Sequence, residues 1–232
     1  MSNLIKAKDE FHKELNKIKY AYNFNWLGLK ILQIPQDIQA MQEIIWEVKP
    51  EIIIETGVAH GGSLIFSASM LTLLEACGQI EKGRVIGVEY NLYEENRKAI
   101  FEHPLGKKIY ILNGSSVDYD IIKQIRSFVK RRSRVLVFLD SNHTHEHVLE
   151  ELKEYSKFVS VGSYIIVNDT GIEDLPEEMS KDRAWGKGNN PKTAIWEFMK
   201  TNDEFEIDFE IESKILITGQ PSGYLRRVKL SH

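Results

Sequence analysis

The sequence predicts an α/β fold: an open, doubly wound, mostly parallel sheet with an N-terminal helical extension and a C-terminal antiparallel hairpin. Three observations carry this. From Pro50 onward short apolar runs alternate with helical segments, the pattern of parallel strands joined by right-handed crossovers. Glu55-Thr-Gly-Val-Ala-His-Gly-Gly-Ser63 follows the apolar run Ile52-Ile-Ile54 and precedes a long apolar segment, Leu64 to Leu74, as a strand–turn–helix unit should. Near the C-terminus the rhythm changes to strict alternation, Phe205-Glu-Ile-Asp-Phe-Glu-Ile211, followed by Lys214-Ile-Leu-Ile-Thr218.

In chain order, the region from Lys6 to about Lys19 places Phe11, Leu15 and Ile18 at helical spacing and reads as an amphipathic helix. Tyr20-Ala-Tyr-Asn-Phe-Asn-Trp-Leu-Gly28 reads as an ordered aromatic loop. Ile34-Pro35-Gln-Asp37 supplies a proline stop and an N-cap, after which Ile38, Met41, Ile44, Ile45 and Val48 line one helical face. Residues 1–49 are therefore read as a helical extension or cap, and 50–232 as the α/β domain. Strands are expected near 51–55, 84–89, 109–112, 134–139 and 163–168, and the alternating pair 205–211 and 214–218 as an edge hairpin.

With 232 residues and 28% charged residues, the chain has the make-up of one globular domain with an extension. A formal charge of −4 argues against nucleic acid as a partner, and the basic run Lys130-Arg-Arg-Ser-Arg134 reads as a solvated helix end. Cys77 is the single cysteine, so no internal disulfide framework exists; it is read as a buried helical residue in a cytoplasmic protein. No run approaches the ~20 apolar residues of a membrane span, and the charged N-terminus does not read as a signal peptide.

Chemistry concentrates at the strand ends, where open α/β sheets bind ligands. Gly57, Gly61 and Gly62 permit close backbone approach at a helix start. Their spacing is not that of dinucleotide sites, and no Gly-Lys-Ser/Thr closes a phosphate loop. A cofactor without a pyrophosphate is expected, with S-adenosylmethionine first; a tight turn with no ligand is the competing reading. Glu89 ends the strand Arg84-Val-Ile-Gly-Val-Glu89, where a carboxylate accepts from ribose hydroxyls; its alternative is a surface acid. Asp140 ends Val135-Leu-Val-Phe-Leu, and Asn168-Asp169 end Tyr164-Ile-Ile-Val. Together they offer an oxygen cage suited to Mg²⁺ or another hard cation; separately, a cap and a turn would explain them. His143 and His147 are four apart and read as sharing a helix face, but the HExxH order is absent and zinc is not expected. His143, three residues past Asp140, is the candidate general base.

These motifs converge. Glu55-Thr-Gly-Val-Ala-His-Gly-Gly-Ser63, Leu139-Asp-Ser-Asn-His-Thr-His-Glu-His-Val-Leu149, Gly162 to Thr170 and Arg183-Ala-Trp-Gly-Lys-Gly-Asn-Asn-Pro-Lys-Thr-Ala194 resemble the cephalosporin hydroxylase family. The resemblance spans roughly residues 20 to 228. Despite its name, that family looks like class I S-adenosylmethionine-dependent methyltransferases, including sugar O-methyltransferases. It implies a seven-stranded sheet and a divalent cation on Asp140 and Asp169. Many relatives carry an acid where this chain has Asn168, a change that keeps an oxygen ligand and removes a charge.

The resulting expectation is a metal-assisted O-methyltransferase acting on a hydroxyl of a sugar or similar polar molecule. Catalysis falls to His143 and Asp140, the cation to Asp140, Asn168 and Asp169. Cofactor contacts fall to Glu55, Gly57, His60, Gly61, Ser63, Glu89, Ser115 (or Ser116) and Asp140. The segment from Ile172 to Pro191, carrying Trp185, is expected to cover the substrate. Two alternatives stand beside this: a metal-dependent hydroxylase built on Asp140, His143 and His147, and a cofactor-binding scaffold. In the scaffold reading the aromatic segment Tyr20 to Trp26 would be a homo-oligomer contact.

Overall fold

The structure, a computed structural model, describes residues 3–230. Helix α1 (Asn3–Lys17) is followed by a 3₁₀ turn and the short strands β1 (Phe24–Trp26) and β2 (Leu29–Ile31). Helix α2 (Pro35–Val48) leads into β3 (Ile52–Thr56), and α3 (Gly62–Ala76) into β4 (Arg84–Glu89). Then come α4 (Glu94–Glu102), β5 (Ile109–Asn113), α5 (Tyr119–Phe128), β6 (Val135–Leu139), α6 (His145–Tyr155) and β7 (Tyr164–Val167). Helix α7 (Pro191–Thr201), β8 (Phe205–Ile207), α8 (Phe209–Ile215) and β9 (Tyr224–Arg227) complete the chain.

The main sheet has seven strands in the order β5-β4-β3-β6-β7-β9-β8. β3 to β7 pair in parallel; β9 runs antiparallel to β7 and β8 antiparallel to β9. Strand order reverses between β3 and β6, which opens the crevice at their carboxyl ends. The apolar run Ile52-Ile-Ile54 shows why both faces must be covered. Ile53 joins α2 and α3 in one cluster, while Ile52 and Ile54 join α5, α6 and α7 in the other. A strand buried on both faces has no polar alternation to keep, so it reads as a continuous apolar run.

The edge hairpin exists, with different strands from those expected. β8 pairs with β9, and residues 209–215 form α8 instead of a continued strand. Asp208 caps that helix by accepting from the Glu210 and Ile211 amides, and Ile211 and Ile215, four apart, pack on the core. Alternation over 205–211 is compatible with both periods, and the cap decides in favour of the helix.

The segment read as an aromatic loop is a 3₁₀ turn followed by a two-stranded hairpin, β1 paired with β2. Leu27 and Gly28 form its turn with positive φ, 46° and 96°. Trp26 Nε1 donates to Ser69 Oγ at 3.0 Å and its ring meets Phe66 edge-on, fixing the hairpin against α3. Of the apolar face expected on α1, Leu15 is buried whereas Phe11 and Ile18 are exposed. Cys77 is exposed too, because α3 ends at Ala76 and turns the thiol outward. Asp37 is not the cap of α2, whose N-cap position is Ile34; its carboxylate reaches across to the C-terminal loop.

Candidate active site

A cavity of about 1000 Å³ opens at the carboxyl ends of the strands. One side of it is the turn after β3. Gly57 and Gly61 have φ of +83° and +82°, and a Cβ on Gly57 would lie 2.0 Å from the Asp140 carbonyl oxygen. Glycine is required there because the turn packs directly on the end of β6, whose Asp140 amide donates to the Thr56 carbonyl at 3.0 Å. Gly62 has a separate reason: its Cβ would strike the Lys30 carbonyl of β2.

Glu89, at the end of β4, holds this turn. Its Oε2 accepts from the Val58 amide at 2.9 Å and the Ala59 amide at 3.2 Å, and its Oε1 from the Asn91 amide at 3.1 Å. That leaves acceptor capacity on Oε1 for a ligand. Glu55 lies beneath the turn, and Ser63 donates its hydroxyl to Glu55. Burial pushes the Glu55 carboxyl up to about 7, against the lowering effect of that hydrogen bond. Ser63 therefore spends its proton on Glu55. His60 is exposed on the cavity wall, and Ser115 lines the wall after β5.

The other side carries the acids. Asp140, His143 and Asp169 each place a ligand atom within 4.8 Å of the others. His143 Nε2 stands 3.3 Å from Asp169 Oδ2, and its ring meets Trp185 edge-to-face. Burial first, then the carboxylates of Asp169, Glu55 and Glu151, push the Asp140 carboxyl well above its usual range. Asn168 is buried on the same rim and lines the cavity; its backbone amide donates to the Leu139 carbonyl at 2.9 Å, while its side-chain carboxamide has no hydrogen-bond partner among the described residues. Clustered carboxylates short of a counter-charge, beside a spare amide oxygen, fit a hard divalent cation. Asp169 has a left-handed backbone, φ 57°, which aspartate tolerates and which turns its carboxylate to the rim.

The structure separates His143 from His147. His143 lies in the turn before α6, so the two do not share a helix face. That removes the basis of the hydroxylase triad. His147 instead bonds to Ser116 Oγ at 2.9 Å and Ser141 Oγ at 3.2 Å, with Glu151 behind Ser141. The sequence places His147 only in the hydroxylase alternative and marks no role for Glu151; their i,i+4 spacing after Asp140 is the signal that pairs them. The cavity also takes in Asp37, Gln33 and Gln220, which no local motif marks.

The arm over the site is hydrogen-bonded rather than loose. The Gly186 and Asn189 backbones pair, Asn189 Oδ1 accepts from the His145 amide at 2.9 Å, and Glu173 Oε2 accepts from the Gly188 amide and the Asn190 amide group.

The chain matches known proteins along most of its length. The model of the Rhamnosyl O-methyltransferase/CmcI family matches residues 18–228. The chain belongs to that family. A rhamnosyl O-methyltransferase of Mycobacterium tuberculosis H37Rv is 28% identical, covering 94% of this chain and 84% of its own length. The Mycobacterium leprae protein of the same description is 27% identical, covering 97% and 93%. Among solved structures, a CmcI structure described as holding magnesium and S-adenosylmethionine superposes with a TM-score of 0.60 at 18% identity, covering 90% of this chain and 78% of that one. An O-methyltransferase from Bacillus cereus in complex with S-adenosylhomocysteine gives 0.55 at 16%, covering 89% and 82%. These structural likenesses establish the fold. With the family match, they make the chain an S-adenosylmethionine-dependent O-methyltransferase.

Proposed function

We propose that the chain transfers the methyl group of S-adenosylmethionine to a hydroxyl of a sugar or saccharide precursor, with a divalent cation at the Asp140 rim. One observation carries the reading. The glycine turn and the acidic rim share one cavity, and Gly57 packs on the Asp140 carbonyl, so cofactor and cation sites are built as a unit. The relatives named as rhamnosyl O-methyltransferases support a saccharide acceptor.

In this reading Gly57 and Gly61 admit the cofactor, with His60, Ser63 and Ser115 around it, and the free acceptor capacity of Glu89 Oε1 takes a ribose hydroxyl. Asp140, Asn168 and Asp169 would hold the cation. A bound Mg²⁺ lowers the pKa of an acceptor hydroxyl and fixes its orientation. His143 Nε2 receives the hydroxyl proton, and Asp169, 3.3 Å away, stabilises the resulting imidazolium. The acceptor oxygen forms the O–CH₃ bond as the S–CH₃ bond breaks, and S-adenosylhomocysteine leaves as a neutral thioether. Trp185 and the arm around it exclude water from the His143 side. Residues 1–49 serve as a cap on the methyltransferase domain, 50–232. No helix among the described residues is long and apolar enough to cross a membrane, and the single cysteine supports a cytoplasmic enzyme. Self-association through the Tyr20 to Trp26 segment is a proposal for light scattering to test.

Labelled S-adenosylmethionine incubated with a panel of saccharides and nucleotide sugars should yield methylated product with Mg²⁺ and none in chelator. Full turnover in chelator would remove the cation from the reading.

A further inference from the structure

Once the glycine turn is given to the cofactor and the Asp140 rim to the cation, one end of the cavity has no role. It is built from Gln33, just before α2, Asp37 in its first turn, and Gly219 and Gln220 in the loop before β9. We propose that this end is the acceptor subsite, and that it takes an uncharged polyhydroxy ring through the carboxamides of Gln33 and Gln220. The inference rests on the methyltransferase reading and adds to it where the acceptor sits and what charge it carries.

Four observations support it. Gln33 is buried, yet its Oε1 has no hydrogen-bond partner, and such groups in native proteins call for an explanation. A sugar hydroxyl supplies one, because it both donates and accepts, as a carboxamide does. Gln220 is also buried, with its amide nitrogen donating to Tyr224 Oη at 2.9 Å, so its head group is held in one orientation. Asp37 provides the frame and is not free to bind ligand. Its carboxylate accepts from Thr218 Oγ1 at 2.5 Å, the Gly219 amide at 2.9 Å and Tyr224 Oη at 3.0 Å. Finally, the Gly171 amide donates to the Gly219 carbonyl at 3.1 Å, which lays this loop against the turn that follows Asp169. A ring held by Gln33 and Gln220 therefore lies beside the acidic rim.

Charge decides between classes of acceptor. At the Gln33 and Gln220 end the cavity carries the buried Asp37 carboxylate, while the Asp140 and Asp169 carboxylates belong to the rim, where a cation would offset them. Among the described lining residues, the lysine and arginine side chains are those of Lys30 and Arg183, both exposed and each lying over an aromatic ring, Tyr22 and Trp185. A carboxylate or phosphate on the part of the ring held by Gln33 and Gln220 would meet the Asp37 carboxylate. Asp37 is a positioning residue here, and Gln33 and Gln220 are the specificity residues.

The test uses the full chain with Mg²⁺ and S-adenosylhomocysteine. Binding of neutral methyl pyranosides, a uronic acid and a sugar 1-phosphate is followed by saturation-transfer NMR and calorimetry. Neutral pyranosides should bind more tightly than either anion. Gln33→Ala and Gln220→Ala should each weaken pyranoside binding about tenfold, the scale of one lost hydrogen bond, with S-adenosylhomocysteine affinity unchanged. Gln33→Glu, which keeps the side-chain size, covers an alanine variant that does not fold and should lose pyranoside affinity as well. Unchanged pyranoside affinity in folded variants, tighter binding of the anionic sugars, or no pyranoside binding while S-adenosylhomocysteine binds would each overturn the subsite. Failure of the wild type to bind S-adenosylhomocysteine would overturn the methyltransferase reading beneath it.

Discussion

The two halves of the cavity are built in different ways. The cofactor half is local: within nine residues, Glu55 to Ser63, the chain supplies the strand end, the glycine turn, the buried acid and the start of the helix. Its distant supports include Glu89, from the adjacent strand, and Asn96, whose side-chain amide donates to the Ala59 carbonyl at 2.9 Å. The acceptor half is assembled from everywhere. Asp140 and Asp169 come from two strand ends, Trp185 from an arm, and Asp37 meets Thr218 across 181 positions of sequence. A local motif can be read from the order of residues, whereas a site made by tertiary contacts leaves no spacing to read. The acids of the two halves also differ in use: Glu89 accepts from the amides of the glycine turn, whereas Asp140 and Asp169 cluster with His143 at the rim.

The largest effect should come where the halves touch. Gly57→Ala sets a Cβ 2.0 Å from the Asp140 carbonyl oxygen, backbone that cannot rotate away. Cofactor affinity and cation affinity should therefore fall together by more than about 100-fold, with a lower Tm, since a misfit of this kind costs several kcal/mol. Loss of cofactor binding with normal Mg²⁺ binding would show that the halves are independent there.

Glu89→Ala should act on the cofactor half alone. Three backbone amides lose their acceptor along with any ribose contact. S-adenosylmethionine binding should weaken by about 3 kcal/mol, at the upper end for hydrogen bonds to a charged group. Calorimetry giving a loss under about 1 kcal/mol would mean that Glu89 holds the turn without touching cofactor.

A smaller effect separates stability from function. Burial raises the Glu55 carboxyl from about 4.5 to about 7, so the folded protein retains a proton that the unfolded chain has released. The unfolding free energy should then fall as pH rises from about 4.5 to about 7, by about 3 kcal/mol over the window, because the folded state binds more protons there. Glu55→Gln should flatten that slope and raise stability at pH 8 in urea titrations. An unaltered slope would mean that Glu55 ionises normally in the folded state.

The contrast between halves also explains what was legible in advance. The parallel strands were readable to within a residue or so because strands buried on both faces are continuous apolar runs with turn residues at their ends. Residues 209–215 misled because Phe209 and Ile211 fit alternation, while the cap at Asp208 and the packing of Ile211 and Ile215 make a helix. The Phe24–Trp26 hairpin was missed because Leu27-Gly28 is a weak turn signal, and its anchor, Ser69, lies 43 residues away. Asp140, Asn168 and Asp169 stood out as polar residues ending apolar strands. Asp37 did not, since an acid near a helix start reads as capping until the C-terminal loop is in place, and Gln33 belongs to no motif at all.

Calorimetric titration of Asp169→Ala against the wild type, with S-adenosylmethionine and then with Mg²⁺, tests the central division most directly. Asp169 belongs to the rim and, among the described residues, pairs with His143 and not with the glycine turn, so cofactor affinity should be unchanged while Mg²⁺ binding and methyl transfer are lost. Asn168→Asp provides the opposite sign, since adding a carboxylate to the rim should tighten Mg²⁺ binding and leave the cofactor as it was. Loss of S-adenosylmethionine binding in Asp169→Ala, with Mg²⁺ binding intact, would contradict the assignment of the two halves.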